Sequence, residues 1–153
     1  MNYKLEVIAF SLDSCLLIEK AGAHRIELCD NPGEGGTTPS YGFIKKARAL
    51  TSIDLYCMIR PRGGDFLYSI DEFESMKTDV QLCKDAGCDG VVFGLLNADG
   101  TDDKEHDINQ VMFTIDLRAS FFDKGKVFNQ RHSACLLHGD AIRSQTICLF
   151  KFH

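Results

Sequence analysis

Hydrophobic and polar positions follow a regular strand–helix order along the first two thirds of the chain. Largely apolar runs at 5–10, 55–59 and 90–94 predict buried strands, because strands covered on both faces are apolar nearly throughout, and 25–29 predicts a further short strand. Between the runs, apolar residues recur at helical spacing. Ser11, Ser40 and the pair of Ser69 and Glu72 are typical of helix N-termini. This alternation predicts an α/β fold with a parallel sheet.

Two observations favour a barrel of repeated units over a doubly wound sheet. Segments 20–26 and 85–91 resemble each other, and each ends a helix and begins a strand. No GxGxxG sequence follows the first strand, although a dinucleotide-binding fold would place one there. The sequence therefore predicts a partial TIM-type (β/α) barrel with four clear parallel βα units.

The pattern changes near the end of the chain, where we predict an irregular tail. The predicted division is an incomplete (β/α) barrel domain over 1–115 and a tail over 116–153, with a lone weak strand at 146–152. Just before the division, one more helix is predicted from Ile108, Val111, Met112 and Ile115. We expect the tail to leave the first and fourth strands as open sheet edges, through which the chain would self-associate.

Composition narrows the classes of function. The 153 residues are 44% hydrophobic and 25% charged, which is typical of a single globular domain. A net charge of −5 argues against a nucleic-acid partner, which would require a basic surface. No apolar run approaches a membrane span, and the N-terminus lacks the apolar core of a signal peptide. A cytoplasmic location is expected.

The seven cysteines do not follow the spacing of a disulfide framework. Cys15 and Cys83 fall on the apolar faces of predicted helices, and Cys57 lies inside a strand. Cys83 and Cys88 are five apart without a second pair at zinc-site spacing, so we do not expect a structural zinc site.

Two loops concentrate residues with distinctive chemistry. Segment 30–39 is long and rich in glycine and proline, and segment 58–66 places Arg60 and Arg62 beside a glycine pair. Two fixed positive charges at the end of a strand suit a small anionic ligand. The alternative is an ordinary tight loop whose arginines form structural salt bridges.

Functional groups of a (β/α) barrel lie at the carboxyl ends of its strands. Alternation along a strand brings Glu27 and Cys29 to one face. The candidates for a mixed-charge pocket at that end are Glu6, Glu27, Arg60, Arg62 and Asp65. Such a pocket can bind a small polar substrate or position a proton donor and acceptor, although the carboxylates can equally form structural ion pairs with the arginines.

Five segments together resemble the CutC copper-homeostasis family. They are LEV at 5–7, RIELC at 25–29, EGGTTPSYG at 34–42, MIRPRGGDFLY at 58–68 and DGVVFG at 89–94. The resemblance is colinear from about residue 3 to 106. It implies a TIM-type barrel, a cytoplasmic location and a role in copper handling, with no settled reaction.

The chain departs from the family pattern in two places. The family's copper proposal uses cysteines at the ends of the first and second strands; Cys29 occupies the second position, but the first reads Ile8. The family's next motif, similar to Thr-Phe-His-Arg-Ala-Phe-Asp, is missing. This absence indicates that the sequence comes from a truncated, frameshifted or aberrantly spliced gene. The alternative is a half-barrel that pairs with itself.

Three hypotheses of function follow. In the first, the chain is a CutC-type protein that binds copper(I), with Cys29 as the metal ligand and a second sulfur from Cys57 or Met58. The competing interpretation of Cys29 is a buried thiol with no role. In the second, the chain is a barrel enzyme that uses Glu27 and Arg60 on a small anionic substrate. In the third, it is a non-functional truncated fragment.

Overall fold

The computed structural model describes residues 4–99, residue 101 and three short strands further along the chain. The elements, in chain order, are β1 (Lys4–Ala9), α1 (Leu12–Lys20), β2 (Arg25–Leu28), α2 (Tyr41–Leu50), β3 (Asp54–Met58), α3 (Ile70–Asp85), β4 (Gly90–Phe93), β5 (Leu117–Phe121), β6 (Ser133–Cys135) and β7 (Cys148–Phe152). A short 3-10 helix, Pro32–Glu34, lies between β2 and α2.

The first four strands are parallel neighbours in chain order, as the sequence predicts. Ile8 pairs with Glu27, Leu28 pairs with Cys57, and Cys57 pairs in turn with Val91. A helix separates each strand from the next, so the chain forms consecutive βα units. Their strands share one direction, and all four carboxyl ends meet at one edge of the sheet.

The helix N-termini are capped by the residues that the sequence indicates. The Ser11 and Ser40 side chains accept hydrogen bonds from main-chain amides in the first turns of α1 and α2. At α3, Ser69 and Glu72 form a reciprocal capping box. These caps fix where each helix begins, and therefore how long the loop before it can be.

The two faces of the sheet carry different cores. The main apolar core packs one face against the helices and contains Leu28, Cys57 and Ile59. A smaller cluster covers the opposite face, which we call the concave face; its members are Cys29, Tyr56, Met58 and Val92, with Ile8 packed against them. Leu28 and Ile59 face the helices because each lies next to Cys29 or Met58 along its strand, and neighbouring residues of a strand point to opposite faces.

The expectation that β1 and β4 form open edges is also wrong. The sheet has seven strands in the order β5-β7-β4-β3-β2-β1-β6. β7 pairs with β4 in the antiparallel sense, and β6 pairs with β1 in the parallel sense. β7 and β6 therefore satisfy main-chain groups that β4 and β1 would otherwise leave without partners. The edges of the described sheet are therefore β5 and β6.

The three later strands lie in the segment predicted to be an irregular tail. β7 confirms the weak strand expected at 146–152, whereas β5 and β6 had no clear signal in the sequence. The helix predicted from Ile108, Val111, Met112 and Ile115 falls outside the described residues. The division into domains at 115 and 116 stays a prediction. No helix in the described part of the chain is both long and apolar enough to cross a bilayer.

Candidate functional site

Arg60 joins the two distinctive loops at the carboxyl edge of the sheet. Its guanidinium is buried, and Nη1 donates to the carbonyl oxygens of Glu34 and Gly36. Nη2 donates to the carbonyl oxygen of Gly64 over 2.7 Å. The Arg60 main chain adds two more bonds, one to the Thr38 hydroxyl and one from the Thr38 amide. The side chain therefore fastens the glycine-rich loop of 30–39 to the arginine loop of 58–66.

The Arg60 guanidinium also stacks on an aromatic ring. Its central carbon lies 4.7 Å from the centre of the Phe66 ring, within the range of a cation–π interaction. Nε has no hydrogen-bond partner among the residues that the structure describes. Arg60 therefore places a buried positive charge at this edge of the sheet, while most of its side-chain N–H groups donate to main-chain carbonyl oxygens of the two loops.

The glycine-rich loop closes directly over Cys29. Asn31 adopts the left-handed conformation, with φ 53°, and an isolated bridge joins Asp30 to Thr37. Gly36 has φ 104°, and a Cβ atom at that position would lie 3.2 Å from Cys29 Sγ. Glycine is required here both for the backbone conformation and for the close approach to the thiol.

Glu6 and Arg25 form a buried ion pair on the concave face. The Arg25 guanidinium lies 4.4 Å above the Tyr56 ring. Burial raises the pKa of Glu6 above its ordinary value, and the charge of Arg25 opposes that shift. Burial likewise raises the pKa of Tyr56 to about 12. The Arg25 guanidinium thus pairs with Glu6 and also covers the Tyr56 ring.

Glu27 and Cys29 lie side by side on the same face. The Cys29 thiol donates to Glu27 Oε1 over 3.7 Å. Burial, reinforced by the neighbouring Glu6 carboxylate, raises the pKa of Glu27 to about 7. Burial and the Glu27 carboxylate both raise the pKa of the Cys29 thiol. A carboxyl group that titrates near neutral pH next to a thiol can accept and return a proton.

Arg62 and Asp65 do not join this group. They pair with each other at 3.0 Å, and Arg62 also pairs with Glu72 at 2.6 Å. Both side chains of the first pair are exposed to solvent, at 39% and 68%. The structure thus brings Glu6, Glu27 and Cys29 together. Arg60 lies beside them, because it donates to the carbonyl oxygen of Gly36, the residue that lies against Cys29. The structure leaves Arg62 and Asp65 at the surface, and what any of these residues does stays a prediction.

Cys29 and Cys57 lie on opposite faces of the sheet, so Cys57 cannot supply the second sulfur beside Cys29. Cys57 belongs to the helix-facing core, because its strand position is one step out of phase with the concave face. Met58 does share the concave cluster with Cys29, and Ile8 packs against the same cluster.

Sequence reasoning missed a second group of sulfurs, the three-cysteine cluster of Cys57, Cys83 and Cys88. Their Sγ atoms lie within 4.8 Å of one another, and all three residues are buried. The sequence shows Cys83 and Cys88 as a pair without a partner, because Cys57 reaches them only through the packing of β3 under α3. The available signal was strand alternation, which turns Cys57 toward the helices.

A model of the CutC family matches residues 3–122 of this chain. A CutC family protein from Chromobacterium violaceum is 58% identical over 100 residues, which cover 65% of this chain and 40% of that protein. The human copper homeostasis protein cutC homolog is 50% identical over 104 residues, covering 68% of this chain and 38% of that protein. The chain spans about two fifths of the length of these curated relatives.

A crystal structure of CutC from Streptococcus agalactiae has the same arrangement. It matches with a TM-score of 0.67 at 38% identity, over 73% of this chain and 54% of that chain. This likeness and the four parallel strands alternating with helices confirm the predicted α/β fold, a partial TIM-type barrel. With the family model matching well over half of its length, the chain belongs to the CutC family.

Proposed function

We propose that this chain is a copper-homeostasis protein of the CutC type that binds copper(I) in the cytoplasm. The observation that carries the proposal is the match to the CutC family model over residues 3–122. A human relative that is 50% identical over 104 residues is named as a copper homeostasis protein. Five buried free cysteines among the described residues are consistent with a reducing compartment.

Cys29 is the metal ligand that we propose on the concave face. Copper(I) is a soft ion that prefers thiolate and thioether ligands. The Cys29 thiol is 1% exposed and shares its cluster with the thioether of Met58. Ile8, also in contact with this cluster, offers no ligand atom, so the proposed pair is one thiolate and one thioether.

Glu27 supports the proposal as a proton acceptor. A thiol must lose its proton to ligate a metal, and burial makes that loss costly for Cys29. The Glu27 carboxylate already accepts the hydrogen bond from this thiol, and its own pKa of about 7 allows it to take the proton at neutral pH. Copper(I) binding at Cys29 should therefore strengthen as the pH rises.

Competition with a colorimetric copper(I) chelator under reducing, oxygen-free conditions tests this function. We expect Cys29→Ser to weaken the binding of one copper(I) by at least tenfold, because a hydroxyl is a poor ligand for a soft ion. Cys15→Ser is the matched control, since Cys15 is equally buried but lies in α1. Equal affinities in the unmodified chain and the Cys29→Ser variant would reject Cys29 as a ligand.

A second candidate function is a barrel enzyme that acts on a small anionic substrate. The observation that favours it is the pKa of Glu27, which lies near 7 and thus in the working range of a general acid or base. Arg60, buried near this group with its Nε without a partner in the described chain, is the proposed anion contact. Thermal melting with phosphate, sulfate and small carboxylates tests the idea: stabilisation that Glu27→Gln preserves and Arg60→Lys removes would support it.

A further inference from the structure

The three-cysteine cluster gathers side chains from a strand, a helix end and a turn. Cys57 lies in β3, Cys83 lies in the last turn of α3, and Cys88 follows that helix just before β4. The Cys57 and Cys88 sulfurs are 3.5 Å apart. Cys57 and Cys83 are 0% exposed and Cys88 is 6% exposed, so the sulfurs meet in the core between the helix and the sheet.

The turn after α3 holds Cys88 in place. Gly87 adopts φ 83°, which reverses the chain, and the Cys88 amide donates to the Cys83 carbonyl oxygen over 3.1 Å. The next residue, Asp89, donates from its amide to the Leu55 carbonyl oxygen and accepts from the Leu55 amide through its side chain. The cluster is therefore preorganised by main-chain bonds on both sides of Cys88.

A positive charge lies beside the three-cysteine cluster. The Arg48 guanidinium pairs with the carboxylate of Asp89, the residue after Cys88, at 2.7 Å. It also donates to the main-chain carbonyl oxygens of Thr51 and Ile53. Arg48 therefore fastens the turn that carries Cys88 to the segment before β3.

The geometry fits a metal ion at the centre of the three sulfurs. Metal–sulfur bonds of ~2.3 Å in a trigonal plane require sulfurs separated by about 4.0 Å. The Cys57 and Cys88 sulfurs are 3.5 Å apart and no two of the three sulfurs are separated by more than 4.8 Å, so small side-chain shifts would reach that value. No histidine or carboxylate joins the group among the residues that the structure describes, so the donor set there is three sulfurs. Structural zinc sites, including those made only of cysteines, are usually closed by four ligands, whereas three thiolates suit copper(I), a soft ion.

We propose that the three-cysteine cluster is a three-thiolate binding site for copper(I), separate from Cys29. The choice of copper(I) among soft ions rests on the proposed function. As the ion binds, each of the three thiols releases its proton to solvent while its sulfur forms a bond to the metal. The copper stays copper(I), so no oxidant or reductant is needed. The two sites are distinct because Cys57 faces the helices and Cys29 faces the concave side.

X-ray absorption at the copper edge tests this site directly. The full chain, reduced and free of oxygen, is loaded with one equivalent of copper(I) supplied as its acetonitrile complex. We expect three sulfur neighbours at ~2.3 Å from the copper, both in the unmodified chain and in Cys29→Ser. Cys57→Ala and Cys88→Ala should each lower the sulfur count and weaken copper(I) binding at least tenfold, whereas the equally buried control Cys15→Ala should change neither.

A melting experiment separates loss of the site from loss of the fold. Copper(I) should raise the Tm of the unmodified chain, of Cys29→Ser and of Cys15→Ala, because the ion binds the folded chain preferentially. It should leave the Tm of Cys88→Ala unchanged, and circular dichroism shows whether that variant is folded before copper is added. If Cys88→Ala does not fold, Cys83→Ala replaces it, and the sulfur count of the unmodified chain decides the matter independently.

The outcomes for the two copper proposals differ. Fewer than three sulfurs around copper in the unmodified chain, or three sulfurs retained in Cys88→Ala, would overturn the three-cysteine site. Copper(I) binding that is lost in Cys29→Ser but kept in Cys88→Ala would overturn it while supporting the proposed function. Three-sulfur copper in Cys29→Ser supports the cluster, and Cys29 is tested separately, by whether that variant binds one copper(I) fewer than the unmodified chain.

Discussion

The Cys29 thiol donates a hydrogen bond to the Glu27 carboxylate over 3.7 Å, on the concave face of the sheet. The two side chains point the same way because they lie two residues apart along β2 and its extension. Burial and the Glu6 carboxylate raise the pKa of Glu27 to about 7, although the hydrogen bond from Cys29 opposes this shift. Burial and the Glu27 carboxylate raise the pKa of the Cys29 thiol. Near neutral pH the Glu27 carboxyl is therefore partly protonated, whereas an exposed glutamate would be ionised, and the Cys29 thiol keeps its proton.

Glu27→Gln should stabilise the chain at alkaline pH. In the unfolded chain the Glu27 carboxyl titrates at its ordinary value of 4.5, and in the fold it titrates at about 7. Between these values the folded state holds a proton that the unfolded chain has lost, so the free energy of unfolding falls as the pH rises through this window. The shift corresponds to about 3 kcal/mol at most above pH 7. Glutamine cannot ionise, so chemical denaturation should show Glu27→Gln to be the more stable chain at pH 8 and nearly equal to the unmodified chain at pH 4. A variant that is destabilised equally at both pH values would contradict the shift.

Gly36→Ala should destabilise the fold and disturb the loop over Cys29. Alanine is strained at φ 104°, and its Cβ atom would lie 3.2 Å from the Cys29 sulfur. We expect a loss of about 1–3 kcal/mol in the free energy of unfolding, measured by urea denaturation. Gly42→Ala is the control, because that glycine lies in α2 with no atom near the added methyl group, and alanine there should stabilise the helix by roughly 0.5–1 kcal/mol. Equal effects of the two substitutions would argue against the described loop conformation.

Arg60→Ala should cost far more stability than Arg62→Ala. Arg60 is 6% exposed, and its removal leaves the carbonyl oxygens of Gly36 and Gly64 without their donor. We expect a loss of about 3 kcal/mol, because these groups are bound by a charged donor away from water. Arg62 is 39% exposed and pairs with surface carboxylates, so its removal should cost much less stability than the removal of Arg60. Hydrogen exchange at the Thr38 amide, which donates to the Arg60 carbonyl oxygen, should accelerate only in Arg60→Ala. Similar losses from both substitutions would show that Arg60 does not fasten the loops.

Self-association through the sheet edges remains a prediction, now assigned to different strands. β5 and β6 are the outer strands of the described sheet, and an edge strand presents unpaired main-chain groups to another chain. We expect the mass measured by light scattering after size-exclusion chromatography to rise with protein concentration. A single monomer mass at every concentration would show that these edges are covered.

The sequence predicts the four βα units well because several local signals agree there. Apolar runs of strand length, serine caps and the Ser69–Glu72 capping box all point to the same boundaries. The positions of Gly22 and Gly87 likewise correspond to positive-φ turns that follow helices. These features act over a few residues, so one sequence is enough to recognise them.

The site was only partly predictable because its contacts join distant segments. Alternation along β2 is a local rule, and it correctly places Glu27 and Cys29 on one face. The sequence cannot show that Arg60 turns back to carbonyl oxygens of another loop, or that Cys57 faces Cys83 and Cys88. The pairing of β6 with β1 and of β7 with β4 was missed for the same reason, since it depends on which segments meet across the whole sheet.

The antiparallel β7 beside β4 has a consequence for the order of events during synthesis. The strands β1 to β4 pair with near neighbours in the chain, so they can assemble while later residues are still being made. β7 lies far beyond β4 in sequence, and the partner of β1 on its other side, β6, also comes late. A nascent chain therefore passes through a stage in which both flanks of a four-strand sheet await their covering strands. At that stage the emerging chain would be most in need of a chaperone that shields sheet edges.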